Sequence, residues 1–263
     1  SPLLAQSYGQ VKGMNERFRM DFGGFFQDFT TTFRLDPANG TGTEISLEDD
    51  LGYDTSKTSF RTDGYWRFGP RGRMDFAYQT FRRGSTHRLD RDFVIGDTTY
   101  HAGASVDSSS RVDVGDLYYS YSLLNSGEAE VGLMLGASTF WTKWEFEASG
   151  AISGGGGTQA GSVQRETSDL IVPIPAVGAH FRYTLLPGFL ATARVKYMKA
   201  TISDYTGKML DWRAGLDYFF TPNVGIGAVW SSTDIEVTKR QDKGDVSFEY
   251  KYDGPLAYVS IAF

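Results

Sequence analysis

Cysteine is absent from the 263 residues, and histidine occurs only three times. No disulfide framework, thiol chemistry or Cys-based zinc site can be built, and His87, His101 and His180 are too scattered for a His-rich metal centre. Long hydrophobic runs are missing as well. The most apolar stretch, Leu170 to Phe181, is interrupted by Pro173 and Pro175 and falls short of the roughly 20 apolar residues a membrane-spanning helix needs. Positive charge is in short supply: 26 Lys and Arg against 32 Asp and Glu give a formal net charge of −6, which argues against a general nucleic-acid binder. Ser1 to Gln10 lack the basic start and apolar run of a leader, so the chain reads as already processed.

Aromatic residues are plentiful, with 19 Phe, 15 Tyr and 5 Trp in a chain that is only 40% hydrophobic. They alternate with charge. From Met209 to Phe220, one parity gives Leu210, Trp212, Ala214, Leu216, Tyr218 and Phe220, and the other gives Asp211, Arg213, Gly215 and Asp217. A helix would scatter those charges around its circumference, so the period of two predicts a strand. In Arg17 to Gln27, Phe18, Met20, Phe22 and Phe26 oppose Arg17, Arg19 and Asp21. Phe60, Trp66 and Phe68 likewise oppose Arg61, Asp63 and Arg67.

Turn chemistry sets the connectivity. Tight turns are expected at 69–72 (GPRG), 125–128 (NSGE), 186–189 (LPGF) and 221–223 (TPN). Polar connections fall at 36–57, about 88–99, 147–166, 203–208 and 239–245. Short and long connections therefore alternate between ten strands, at about 15–35, 57–69, 72–88, 99–124, 128–147, 166–186, 188–203, 207–221, 223–238 and 244–263. Both ends of the strand series lie on the short-turn side. That is the layout of a ten-stranded antiparallel transmembrane β-barrel occupying 15–263, with residues 1–14 as a periplasmic segment, short periplasmic turns and longer extracellular loops. The alternative, a soluble barrel, would have to hold every Phe, Trp and Tyr of one parity in a ten-strand interior, which they would overfill.

The last strand ends PLAYVSIAF, with Val259, Ile261 and Phe263 on one face. A terminal Phe on such a strand resembles the assembly signal of bacterial outer-membrane barrels. LEDDLGYD (47–54), RMDFAYQTFRRGS (73–85), PIPAVG (173–178), DYTG (204–207) and TPNVGIG (221–227) resemble a widespread, largely uncharacterised group of proteobacterial outer-membrane barrel proteins. The resemblance implies fold and an outer-membrane location, and supplies neither substrate nor catalytic residues.

If the aromatics face lipid, the alternate parity fills the lumen. Arg17, Arg19, Arg61, Arg67, Arg182, Arg194, Lys196 and Arg213 then meet Asp21, Asp63, Asp75, Asp116, Asp211 and Asp217. Interleaved signs in a narrow lumen should pair, because an unpaired buried charge costs several kcal/mol. The leading expectation is a structural or interaction barrel of the cell envelope with a side-chain-filled lumen, and no enzyme. The alternative is a narrow, porin-like channel for ions or small solutes.

A rim hydrolase is the third reading. Omptin-type outer-membrane proteases are also ten-stranded, with paired acids and an Asp–His pair at the extracellular rim; here Asp90, Asp92 and His101 supply ingredients, but no Asp-x-His stands on the opposite wall. Ser85 and His87, two residues apart on one face, hint at a lipid hydrolase and no more. The acidic first loop (Glu44, Glu48, Asp49, Asp50, Asp54) could bind Ca²⁺, though its spacing is not that of an EF-hand and solvation explains it more simply. Its Leu47 and Leu51 could instead tuck a short turn into the barrel mouth. The uncharged Gly- and Ser-rich stretch 148–164 is expected to be flexible surface. Arg82, Arg83 and Lys143 are candidate contacts for lipopolysaccharide phosphates. No cofactor or metal is implied; the partners expected are outer-membrane lipid, lipopolysaccharide, the barrel assembly machinery during insertion, and an envelope protein or a second copy.

Overall fold

The computed structural model describes residues 14, 16–37, 43–88, 90, 92–95, 98–154, 157–202, 204–240 and 244–263. Ten long strands form the wall: β1 (Phe18–Pro37), β3 (Ser56–Arg67), β4 (Gly72–Arg88), β7 (Ser105–Asn125), β8 (Ala129–Gly154), β9 (Gly157–Leu186), β10 (Phe189–Ile202), β11 (Tyr205–Phe219), β12 (Val224–Lys239) and β13 (Gly244–Ala262). Three short strands decorate the extracellular end. β2 (Thr43–Ser46) folds back on β1, and the hairpin of β5 (Phe93–Ile95) and β6 (Thr98–Tyr100) pairs with β8.

Each wall strand is antiparallel to its neighbours, and β1 pairs with β13 from Arg19↔Ala262 to Pro37↔Gly244, so the sheet closes on itself without an edge. The ring is locked at its base by the terminal residue, whose carbonyl accepts the Arg17 and Phe18 amides at 2.6 and 3.0 Å while its own amide reaches the Phe18 carbonyl at 2.8 Å. The periplasmic turns are tight. In one, Pro187 precedes Gly188 at φ 84°, the left-handed value that the third residue of a type II turn requires.

Outward positions in the lower part of the barrel form an apolar, aromatic belt. Phe18, Phe22, Phe60, Trp66, Tyr119, Trp212 and Trp230 all stand exposed on the wall. Leu135 and Ile171 are 63% and 64% exposed, a surface that only hydrocarbon makes favourable on this scale.

Higher up, the two faces exchange character. On β1, Arg19 and Asp21 point in below, whereas above Phe26 the outward residues are Asp28, Thr30 and Arg34, and Phe29 is buried. On β13, Ala257 and Val259 face out below; Glu249 and Lys251 face out above, with Tyr250 and Tyr252 inside. A tilted strand needs only about 9–11 residues to cross the hydrocarbon, yet β8 and β9 run for 26 and 30 residues. The upper part therefore stands in water, where an antiparallel barrel puts its apolar residues inside.

The strand count, order and alternation of connections agree with the sequence reading, and two details do not. Within the expected 147–166 loop, residues 147–154 and 157–166 continue β8 and β9, paired from Glu147↔Arg165 up to Gly154↔Gly157. Aromatics are not confined to the lipid face, because the protruding half has its own apolar core. Of the segment 1–14 only Met14 is among the described residues, buried with Leu190, Phe219 and Ala262 in the base of the barrel; the rest lies outside them.

Candidate functional site

The lumen is built in tiers. At the base, Glu130 on β8 receives Arg67 Nη2 at 2.9 Å, Arg73 Nη1 at 3.2 Å and Ser122 Oγ at 2.6 Å, with His180 Nε2 at 3.5 Å and Arg182 Nη1 at 3.6 Å. Arg182 also donates to Glu16 at 2.8 Å, and the Tyr65 hydroxyl to the same carboxylate at 2.5 Å. Beside them Arg19 bridges Asp21 and Asp217 at 2.8 and 2.9 Å, while Tyr258 and Ser260 donate to those two acids.

The middle tier centres on Asp63, which meets Arg61, Arg194 and Arg213 at 2.8, 3.3 and 2.9 Å. Asp75 accepts from Arg73 at 3.1 Å and from Ser120. Above it Lys196 lies between Asp116 and Asp211 at 2.9 and 3.2 Å, and Thr233 and Ser138 complete the two carboxylates.

Among the described residues, Arg19, Arg61, Arg67, Arg73, Arg182, Arg194, Lys196 and Arg213 thus face Glu16, Asp21, Asp63, Asp75, Asp116, Glu130, Asp211 and Asp217 within this interior. Positive and negative groups are matched one for one. That balance is what burial demands, since each ion leaving water must find an opposite partner and hydrogen bonds.

An aromatic layer sits on top. Phe29 lies 5.4 Å from Phe81, 6.1 Å from Tyr250 and 5.9 Å from Tyr252, and Phe81 stacks on Tyr250 at 6.2 Å. Over it, the first loop turns into the mouth: Leu47 and Tyr53 are buried, and Glu48 pairs with Arg83 and with the Thr31 hydroxyl and amide. Asp50 is spent on the Ser46 amide at 2.9 Å. Two of the loop acids are thereby committed to protein donors, and no cluster able to hold a metal is found among the described residues.

The rim carries one formed acid–imidazole pair. His101 Nδ1 lies 3.0 Å from Asp92 Oδ2, and Asp92 Oδ1 accepts the Ala102 amide at 2.6 Å. These contacts, the Ala102 amide first, hold the exposed Asp92 carboxyl below its ordinary range. His87 is 4.0 Å from Asp90, which is almost fully exposed, and Gly52 of the first loop lies against Ser85 and His87. The third histidine, His180, is buried at the far end of the lumen, so no imidazole faces the Asp92–His101 pair from the opposite wall.

Solved structures of the same architecture exist. The outer-membrane protease OmpT from Escherichia coli aligns over 96% of this chain and 98% of its own, with a TM-score of 0.63 and 15% identity. The chain has the outer-membrane β-barrel fold. The translocator domain of the autotransporter NalP from Neisseria meningitidis aligns over 99% of this chain and 93% of its own at 14% identity and a TM-score of 0.47. No protein-family model and no curated protein sequence matches the chain. With its apolar belt and closed wall, the barrel resides in the bacterial outer membrane.

Thirteen of the fourteen lumen residues expected from parity sit in the barrel interior, Arg17 being the exception: it lies outside β1, exposed at the periplasmic edge. Arg83 does not face lipopolysaccharide. It is buried, stacked 4.3 Å over Phe29 and bound to Glu48 and the Asp54 carbonyl. Arg82 and Lys143 do face outward, as do Val259 and Phe263.

Sequence reasoning missed Glu16, Arg73, Glu130 and His180. Arg73 and His180 lie on the same parity as residues that were named, Asp75 and Arg182, and extending the alternation along those strands would have found them; Glu130 lies on β8, directly opposite Arg182, and only the strand pairing reveals it. Glu16, before the first strand, left no periodic signal.

Proposed function

We propose that this chain is a non-conducting barrel that serves the outer membrane as a structural or interaction element, with no catalytic activity. One observation carries the reading: two different materials occupy the interior in series, matched ion pairs below and stacked aromatics above. A cavity of about 40 Å³ among Arg19, Asp21, Tyr65, Arg73, Asp75 and Arg194 has room for only a few water molecules, which supports a narrow, filled interior. The same tiers would stiffen the wall, leaving loops and outer surface as the parts that meet an envelope partner or a second copy.

Planar-bilayer recording on the purified barrel tests this, with no steady conductance expected. A porin-like conductance whose selectivity changes in Arg61→Ala or Asp211→Ala, with stability untouched, would make the narrow channel the correct reading. Hydrolysis of peptide or lipid by pure protein, lost in Asp92→Ala or His87→Ala, would overturn the absence of catalysis. Isolation from native membranes in mild detergent identifies what travels with the barrel.

A further inference from the structure

Above the apolar belt, the outer wall is not uniform in charge. Arg82 on β4 pairs with Arg111 on β7, and Arg111 with Lys143 on β8, residue opposite residue. All three side chains are exposed on the lipid-facing side of the wall. Adjacent strands lie about 4.8 Å apart, so the three cations form a row about 10 Å long. The next outward row below holds Thr80, Asp113 and Trp141, under it stands Tyr78, and a row lower Leu117, with Trp141, Tyr78 and Leu117 all exposed in the belt. The row therefore sits at the level where hydrocarbon gives way to headgroups.

Its geometry is supported from below. Arg111 Nε donates to Asp113 at 2.9 Å, and Tyr78 donates its hydroxyl to the same carboxylate at 3.0 Å. A guanidinium carries five N–H groups, and Asp113 takes two of them, which fixes the plane of the rest. Lys143 lies 2.7 Å from Glu145 in the row above. Elsewhere on the outer wall charges are mixed: Asp28 faces Asp253 across β1 and β13, and Glu236 faces Glu249 across β12 and β13 while lying 3.7 Å from Lys208, which in turn faces Lys199. The β4–β7–β8 wall is where three adjacent strands each present a cation in one row, which attracts an anionic headgroup.

We infer that Arg82, Arg111 and Lys143 form a binding ledge for the phosphate groups of lipid A, whose acyl chains lie against the belt below. A lipid fits the site better than a free anion, because the cations stand directly over an exposed apolar wall and Arg matches phosphate oxygens bidentately. The partner is a phosphorylated, multiply acylated outer-leaflet lipid.

Native mass spectrometry of the full barrel in detergent tests the assignment, using bisphosphorylated lipid A, its dephosphorylated form, phosphatidylglycerol and inorganic phosphate as probes. Bisphosphorylated lipid A should be retained preferentially. The triple variant Arg82→Ser, Arg111→Ser, Lys143→Ser should hold it about tenfold or more weakly, while Lys199→Ser with Lys208→Ser, on the β10–β11 wall, should bind as the wild type does. Retention of the heat-dependent gel shift of a closed barrel by the triple variant shows that it has folded. Single substitutions replace it if it has not, each expected to weaken binding in the same direction. Equal binding by a folded triple variant, equal retention of the dephosphorylated lipid, or equal competition by inorganic phosphate would each overturn the proposal.

Discussion

Glu130 concentrates the electrostatics of the lumen base on one carboxylate, with Arg67, Arg73 and Ser122 in direct contact and Arg182 and His180 just beyond. Glu130→Gln keeps the shape and removes the charge, leaving several buried cations facing one another. Loss of one partner from such a group costs about 3–5 kcal/mol; the barrel should unfold at markedly lower temperature in detergent, whereas Arg17→Ala at the exposed edge should change little. A melt of Glu130→Gln indistinguishable from wild type would mean that water already screens this tier. Asp92 gives a prediction of the opposite kind. Its carboxyl is held below the ordinary value by the Ala102 amide and His101, so the contact contributes fully above about pH 3.9, the usual aspartate pKa, and disappears as pH falls through the lowered value. The Ala102 amide resonance should stay in its bound position at pH 5 and move only below about pH 4; Asp92→Asn should weaken the effect.

Strands are where sequence and structure can be compared most directly. The parity of Phe18 to Phe26 and of Met209 to Phe220 was legible because one face meets lipid and the other meets ions, a contrast that composition records. Phe25 and Phe29 were not placed, because in the protruding half both solvents change: water replaces lipid outside, and rings replace ions inside. The same change hid Arg83, which belongs to the parity of Phe81 and Phe29 and not to that of its neighbour Arg82. Residues 148–164 read as loose surface because a Gly- and Ser-rich ladder is held by backbone hydrogen bonds, which leave no side-chain pattern. At the β1–β13 seam, a side chain on Gly254 would run into the Phe26 carbonyl. Gly254→Val should therefore destabilise the closing ladder, read as loss of the folded band at lower temperature on an unheated gel. Glycine-like stability in that variant would show that the seam can yield.

Taken whole, the molecule is a closed ten-stranded barrel with a polarity step part-way along its axis. Its lumen should stay silent in bilayer recordings, and Arg61→Ala or Asp211→Ala should raise leak and lower the melting temperature together; a rise in leak without loss of stability would point to a gated path instead. The step on the outer wall has a further consequence. Sinking the barrel by one outward row would carry Asp28, Asp253 and Arg82 towards hydrocarbon, and lifting it would expose Phe26, Phe60 and Trp230 to water. A charged side chain on the lipid face costs up to about 2–4 kcal/mol at the bilayer midplane and about 0–1 near its edge, and the wall repeats the step on strand after strand. The step thus acts as a waterline: it fixes the depth at which the barrel floats, opposes bobbing and tilting, and sets how far its extracellular crown stands clear of the surface.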